Sequence, residues 1–149
     1  MKSMMIISIA ALTMAAFSGV ANAAISETQK WKMVDHRLEN TSNGKKLCMT
    51  GVAFEPATME ECGSHPETQD LREPNFALNG VLMLDAYPEY AYAPLGDEIY
   101  IRDYSTESYW HYINGQLKKA DRDGVLKCLD IEGGKNVPGA RLYLETCTK

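Results

Sequence analysis

The four cysteines are the residues whose type and spacing say most about the chemistry of this 149-residue chain: Cys48, Cys62, Cys128 and Cys147. An even number of widely spaced cysteines in an exported protein is typical of disulfide bonds. A structural zinc site would instead need close pairs such as Cys-x-x-Cys, and the sequence has none. We therefore expect two disulfides and no metal site. Counting alone leaves their pairing open.

The other reactive side chains are not grouped as catalysis requires. The three histidines are spread along the chain without metal-ligand spacing. Gly63-Ser64-His65 lacks the Gly-x-Ser-x-Gly frame of a nucleophile elbow. Asp121-Arg122-Asp123-Gly124 lacks the later Glu of a calcium loop and indicates a hairpin turn. Glu60 and Glu61 would face opposite sides of a strand. We expect a protein that is not an enzyme and holds no cofactor.

Three copies of one unit follow residue 23, because similar features recur about every 40 residues. A Gln-x-Trp sequence, or a degraded copy of it, opens each unit: Gln29-Lys30-Trp31, Gln69-Asp70-Leu71 and Ser108-Tyr109-Trp110. A leucine follows each of these markers at the expected end of a first strand: Leu38, Leu82 and Leu117.

The repeat selects one pairing of the cysteines. Each pair closes a loop inside one unit at an equivalent position: Cys48 with Cys62, and Cys128 with Cys147. In the middle unit, Tyr92 and Tyr104 occupy the corresponding positions, where we expect them to pack against each other. A second register, with residues 83–85 opposite residues 128–130, remains open.

Local signals along the chain are those of short strands joined by tight turns. Runs rich in β-forming residues occur at 81–84, 99–101 and 141–144. Four dipeptides tolerate the positive φ of hairpin turns: Asn43-Gly44, Asn79-Gly80, Asn114-Gly115 and Asp123-Gly124. No helical period is evident after residue 23. Short strands, regular turns and a threefold repeat predict an all-β fold, a β-trefoil with pseudo-threefold symmetry.

Residues 1–23 have the pattern of a signal peptide, with Lys2 before an apolar run and Ala21-Asn22-Ala23 as the cleavage site. The apolar run is shorter than the roughly 18 residues of a membrane span. We expect cleavage before Ala24, one domain over residues 24–149, and a secreted or periplasmic protein. The net charge of −5 argues against a nucleic-acid partner, which requires clustered Lys and Arg.

The third unit contains Cys128-Leu-Asp-Ile-Glu-Gly-Gly and ends with Gly139-Ala-Arg-Leu-Tyr-Leu-Glu-Thr-Cys147. Together with Gln29-x-Trp31, this sequence resembles the ricin B-type lectins, and the resemblance extends over residues 24–149. It is also similar, more distantly, to the accessory subunits of cytolethal distending toxins. The resemblance implies a carbohydrate-binding module, such as the cell-recognition subunit of a toxin or adhesin, whose partner is a glycan or glycoprotein receptor.

The same resemblance implies a weak sugar site in the third unit. In family members that bind galactose-like sugars, the Asp of Cys-Leu-Asp accepts hydrogen bonds from sugar hydroxyls, and an aromatic residue stacks on the sugar. Asp130 matches that carboxylate, Gln29 matches the glutamine that steadies it, and Tyr143 stands at a polar contact position. Glu145 replaces the stacking aromatic residue and adds a negative charge. The first unit has Thr50 in place of the Asp, so we expect it to bind no sugar.

Two functions are open at this point. One is a glycan-binding module, and the other is a protein-docking subunit of a secreted complex that binds no sugar. Asp130 could instead brace its hairpin, and Gln29 and Trp31 could be braces within the core. A tyrosine group is either an exposed patch for a partner or a packed loop: Tyr87, Tyr90 and Tyr92.

Overall fold

The computed structural model of the protein describes residues 24–72, 79–103 and 109–149. The predicted signal peptide, Tyr104 and Ser108 lie outside the described residues. The described chain is all-β, as the sequence predicts, with two antiparallel sheets. It also has three short 3-10 helices and one short α-helix that the sequence did not predict, α1 (Pro66–Gln69), which begins at a proline. None of its helices is long and apolar enough to cross a membrane.

Strands are the main regular structure of the described chain. In chain order they are β1 (Lys32–Val34), β2 (Arg37–Asn40), β3 (Leu47–Thr50), β4 (Thr58–Glu61), β5 (Asn79–Val81), β6 (Tyr90–Leu95), β7 (Glu98–Asp103), β8 (Tyr109–Ile113), β9 (Gln116–Ala120), β10 (Leu126–Ile131) and β11 (Leu142–Glu145). The first sheet has the order β1-β2-β3-β4, and the second has the order β5-β8-β9-β10-β11-β7-β6.

The turn dipeptides behave as predicted at three positions and differently at the fourth. Asn114 and Gly115 have φ values of 53° and 82° and form the two-residue turn between β8 and β9. Asn43-Gly44 and Asp123-Gly124 also lie in connections between paired strands. Asn79-Gly80, predicted as a turn, instead lies within β5 and pairs with β8. This pairing with a neighbouring strand overrides the local turn preference.

One contiguous core joins the two sheets and contains Trp31 and Trp110, both almost fully buried. Trp31 Nε1 donates to the carbonyl of Leu129 at 3.1 Å, and Trp110 Nε1 donates to the carbonyl of Tyr92 at 3.0 Å. Isolated backbone bridges also link the sheets: Pro56 with Tyr100, and Thr58 with Arg141. The tryptophans are therefore buried without leaving their indole N–H groups unpaired.

The same strand register recurs in three places. A buried leucine is followed by a residue that pairs with the next strand: Glu39 with Cys48, Met83 with Ala91, and Lys118 with Cys128. The leucines are Leu38, Leu82 and Leu117, each at most 1% exposed. Ala91 therefore has the same place in this strand register as the two half-cystines, Cys48 and Cys128.

Tyr92 does not replace a half-cystine, so that prediction is wrong by one residue. Its side chain is fully buried in the core, and its hydroxyl donates to the carbonyl of Thr68 at 2.7 Å. Burial raises the pKa of Tyr92 well above its usual value. The error arises because the segment from Leu82 to Ala91 is one residue shorter than the segment from Leu38 to Cys48. The second register also fails, since Met83 lies opposite Ala91.

Both disulfides are present with the pairing that the repeat predicts: Cys48–Cys62 and Cys128–Cys147. Their partners are 14 and 19 residues apart, so each bond closes a short local loop. Each should stabilise the fold by about 3 kcal/mol in the chain-entropy treatment.

Gly51 is predicted to be intolerant of a side chain. A Cβ there would overlap the side chain of Ile101 and would lie 3.2 Å from Tyr92 Cε1. Gly51→Ala should lower the free energy of unfolding by about 1–3 kcal/mol, measured by urea denaturation, because the core is already filled. As a control, Val52→Ala alters a side chain that is 55% exposed and should change stability by under about 0.5 kcal/mol. Equal urea denaturation midpoints for Gly51→Ala and Val52→Ala would mean that the Ile101 side chain can move to make room for the new Cβ.

Candidate functional site

The hairpin formed by β10 and β11 presents three of the predicted site residues on one face. Asp130 lies directly opposite Tyr143 in the strand register, and Glu145 is two residues further along β11. Directly opposite residues share a face with Cβ atoms about 5 Å apart, and so do alternate residues of one strand. Leu142 and Leu144 point to the other face and are buried in the core. Asp130 and Tyr143 are half-buried, and Glu145 is exposed.

The carboxylate of Asp130 is held by two hydrogen bonds from the protein. Oδ2 accepts from Gln29 Nε2 at 3.0 Å, and Oδ1 accepts from the backbone N–H of Ile131 at 2.7 Å. A carboxylate oxygen can accept two hydrogen bonds, so each oxygen keeps one lone pair for another donor. Asp130 is thus oriented by its partners and can still accept from hydroxyl groups.

Gln29 is the centre of a buried network that we call the glutamine clamp, formed by Gln29, Asp130, Thr146 and Thr148. Nε2 donates to Asp130 and to the carbonyl of Thr146 at 2.9 Å. Oε1 accepts from the backbone N–H of Thr148 at 3.0 Å and from its hydroxyl at 3.1 Å. Gln116 Nε2 donates to the same oxygen at 2.9 Å. Since Gln29 is 1% exposed, its amide has no freedom to turn without losing these bonds.

A second clamp of the same design lies on the hairpin formed by β3 and β4. Gln69 Nε2 donates to Thr50 Oγ1 at 2.8 Å and to the carbonyl of Glu61 at 2.9 Å. Gln69 Oε1 accepts from the backbone N–H of Gly63 at 2.8 Å. Glu61 and Gly63 flank Cys62, just as Thr146 and Thr148 flank Cys147. In this second clamp a hydroxyl takes the place of the Asp130 carboxylate.

The surface around Tyr143 is acidic. Glu98 lies opposite Tyr143 on its other side, in β7, and Arg141 forms an ion pair with Glu98 at 2.9 Å. The pKa of the Tyr143 phenol is raised, mainly by loss of solvent and then by the negative charges of Glu98 and Glu132. A ligand on this face would therefore meet a negative potential, which disfavours anions.

Sequence reasoning found Gln29 but missed two of its partners, Gln116 and Thr148. These residues meet Gln29 across separations of 87 and 119 residues, and no local motif marks them. The second clamp had a weak signal, because Gln69 belongs to a degraded marker and Thr50 aligns with Asp130. The hydrogen bond between Gln69 and Thr50 could be identified only from the structure.

Two other sequence candidates are explained by local structure. Asp121 Oδ1 accepts from the backbone N–H groups of Asp123 and Val125 at 2.9 and 3.0 Å, which is the predicted hairpin turn. These bonds, with the charge of Lys127, lower the pKa of Asp121. Elsewhere among the described residues, Glu39 lies beside the sulfur atoms of Cys48 and Cys62. Because those sulfurs form a disulfide, they are not thiolates and cannot act as metal ligands.

The predicted tyrosine patch is divided between core and surface. Tyr92 is buried, whereas Tyr87 is 44% exposed and Tyr90 is half-buried. Tyr90 packs edge-on against Phe54, with ring centroids 5.3 Å apart and ring planes at 81°. Phe54 is 60% exposed and had no sequence signal. We call Phe54, Tyr87 and Tyr90 the aromatic surface.

Comparison of the chain with protein-family models, with curated proteins and with solved structures gives no match. The contacts described above are therefore the basis on which a function is proposed.

Gln29→Glu should disrupt the glutamine clamp. The substitution replaces a donor with a carboxylate that faces Asp130 and the carbonyl of Thr146. We expect a loss of about 3–5 kcal/mol in unfolding free energy at neutral pH, because a buried charge is left uncompensated. This loss of unfolding free energy should shrink as the pH falls from 7 to about 4, because repulsion raises the pKa of the buried carboxyl above its unfolded value and it takes up a proton in that range. Chemical denaturation across this pH range is the measurement.

The matched control is Gln69→Glu, which faces the hydroxyl of Thr50 rather than a carboxylate. That hydroxyl can turn and donate to the new Glu, so this variant should be less destabilised at neutral pH. A Gln29→Glu variant as stable as Gln69→Glu would contradict the electrostatic account of the clamp.

Proposed function

We propose that the chain is a secreted β-trefoil module of the ricin B type that binds neutral sugars weakly through the outer face of β10 and β11. The observation that carries the proposal is the half-buried Asp130 carboxylate, which Gln29 orients and which lies directly opposite Tyr143.

The recurring register supports the trefoil part of the proposal. The three hairpins β3–β4, β6–β7 and β10–β11 would be the equivalent hairpins of three units. Each contains a buried apolar pair one residue after Cys48, Ala91 or Cys128: Met49 with Met59, Tyr92 with Ile101, and Leu129 with Leu144. The two local disulfides support export to an oxidising compartment, in keeping with residues 1–23 as a signal peptide.

Comparison of the two clamps supports a ligand-binding role for Asp130. In the first hairpin, the hydroxyl of Thr50 is sufficient to hold Gln69. A carboxylate at residue 130 is therefore not needed merely to hold Gln29. Burying part of its charge also carries a desolvation cost. Its spare lone pairs can accept from two sugar hydroxyls, and the Tyr143 hydroxyl lies on the same face.

The same face explains why binding should be weak and restricted to neutral sugars. Glu145 provides no apolar platform for a sugar ring, so a few hydrogen bonds worth about 0.5–1.5 kcal/mol each remain. Glu98, Glu132 and Glu145 would repel acidic sugars such as sialic acid. An affinity near millimolar, about −4 kcal/mol, is expected for one site, and useful avidity would need several copies in an assembly.

The test is an NMR titration of residues 24–149 with a neutral galactoside and with its sialylated form. We expect saturable shifts around Asp130 with the neutral sugar only. Asp130→Thr should reduce affinity by about tenfold or more, since it copies the Thr50 clamp and removes only the charged acceptor. Thermal unfolding checks that this variant folds. Binding that survives Asp130→Thr in folded protein would place the site elsewhere.

Glu145→Tyr provides the complementary test, because it places an aromatic ring, on which a sugar can stack, at the exposed end of the same face. An aromatic stack worth about 1 kcal/mol should raise sugar affinity several-fold. Glu61→Tyr, at another exposed strand position, is the control and should leave the affinity unchanged. A Glu145→Tyr variant with unaltered affinity would contradict the proposed position of the sugar ring.

The second candidate function is protein docking through the aromatic surface. Phe54 is favoured as an anchor because it is 60% exposed, adopts a positive φ of 63° and packs against Tyr90. A stoichiometric partner that co-purifies with the exported protein should be lost in Phe54→Ser. It should be retained in Val125→Ser, which alters an exposed side chain elsewhere. Retention in both variants would exclude this surface as the docking site.

A further inference from the structure

A cavity of about 550 Å³ lies between the β6–β7 hairpin and the turn that joins β9 to β10. Its volume is within the usual range for sites that bind small molecules, about 300–1,000 Å³. Neither the clamp residues nor Tyr143 and Glu145 line it. It is therefore separate from the face proposed to bind neutral sugars.

Two arginines of the cavity wall have no acidic partner among the residues that the structure describes. Arg102, on β7, is half-buried and uses Nη1 to donate to the carbonyl of Pro94 at 2.7 Å. Arg122, in the β9–β10 turn, is exposed. Within the described parts of the chain, no carboxylate lies within ion-pair distance of either guanidinium. An arginine has five N–H donors, so both side chains retain donors for a ligand.

Lys119 adds a third positive charge to the cavity wall but is already engaged. Its ammonium donates to the carbonyl of Tyr109 at 2.8 Å and lies 5.9 Å from the ring of Trp110. It therefore contributes to the local potential and is not counted among the ligand donors.

The acidic groups of the wall do not cancel these charges. Asp121 is committed to the backbone of its own turn and to Lys127, at 3.5 Å. Asp103 is exposed to solvent, as Arg122 is, so the wall has three cationic side chains against two carboxylates. The cavity thus concentrates positive charge in a protein whose net charge is −5. A concave surface with an excess of one sign of charge raises the local concentration of counter-ions.

We propose that this cavity binds the oxyanion group of a small anionic ligand, held by Arg102 and Arg122. The planar guanidinium matches the oxygen spacing of carboxylate and sulfate groups and can bind them through two parallel hydrogen bonds. Ala93, Leu95 and Leu144 provide apolar wall beside these donors, which suits a ligand with a carbon skeleton. The volume accommodates a molecule of monosaccharide to disaccharide size.

The experiment is an NMR titration of residues 24–149 with sodium sulfate, sodium glucuronate, glucose and sodium chloride, the salts at equal ionic strength. Sulfate and glucuronate should cause saturable shifts at the amides of Gly96, Ala120 and Arg122. Glucose and chloride should not saturate these amides. Tighter binding of glucuronate than of sulfate would identify a sugar-borne oxyanion, and the reverse would identify an inorganic one. Shifts that chloride reproduces, or no saturable shifts, would overturn the proposal.

Variants locate the site. Arg122→Gln alters an exposed side chain, so it should fold normally and lower anion affinity by about tenfold, as expected for loss of one charged hydrogen-bond donor. Arg102→Lys keeps the charge but loses the planar fork, and should weaken binding by several-fold. The control is Arg72→Gln, an exposed arginine outside the cavity, which should bind as wild type. Unchanged affinity in both cavity variants would overturn the assignment.

Anion binding in this cavity is independent of the face of β10–β11 that is proposed to bind neutral sugars. Asp130→Thr should leave anion binding unchanged, and Arg122→Gln should leave neutral-sugar binding unchanged. Loss of anion binding in Asp130→Thr would overturn the assignment to a separate cavity.

Discussion

The buried amide of Gln29 is the interaction on which the arrangement of the candidate site depends. It joins the beginning of the described chain to β10 and to the residues on both sides of Cys147, across separations of more than one hundred residues. Every polar atom of the amide has a partner, so an alternative orientation would leave buried groups unsatisfied, at a cost of about 1–3 kcal/mol each. The direction of the Asp130 carboxylate therefore follows from the packing of the whole domain rather than from the β10–β11 hairpin alone.

The three hairpins β3–β4, β6–β7 and β10–β11 are alike in their core-facing residues and differ in their outward-facing residues. Positions facing the core are apolar in all three, because a polar group there would be buried without a partner. Outward positions differ: Glu60, Arg102 and Glu145 each lie across from a residue at the half-cystine position. Two of these side chains are acidic and one is basic. That reversal of charge contributes to the difference between the acidic face of β10–β11 and the cavity beside β7, whose wall also contains Lys119 and Arg122.

The sequence was informative where a signal is local and periodic. Alternating apolar residues predicted β7 and β11, and the spacing of the cysteines predicted the disulfides. It failed at Tyr92, because counting residues cannot detect a connection that is one residue shorter, and at Gly80, because strand pairing overrode a turn preference. It also missed the partners of Gln29 and the cavity arginines, since their proximity is created by folding. Asp130 and Tyr143 could be predicted as neighbours because they occupy paired strands.

The hydrogen bond from the backbone N–H of Ser26 to Thr148 Oγ1, at 2.7 Å, brings the two ends of the described chain, near residues 24 and 149, into contact. A short peptide could therefore join these ends without distorting the sheets, and new ends could be opened at an exposed turn such as Asp123-Gly124. In such a circularly permuted protein, Gln29 and Thr148 would become near neighbours in sequence. The clamp would then close a short loop instead of a long one, so its entropic cost would fall while its contacts stayed the same.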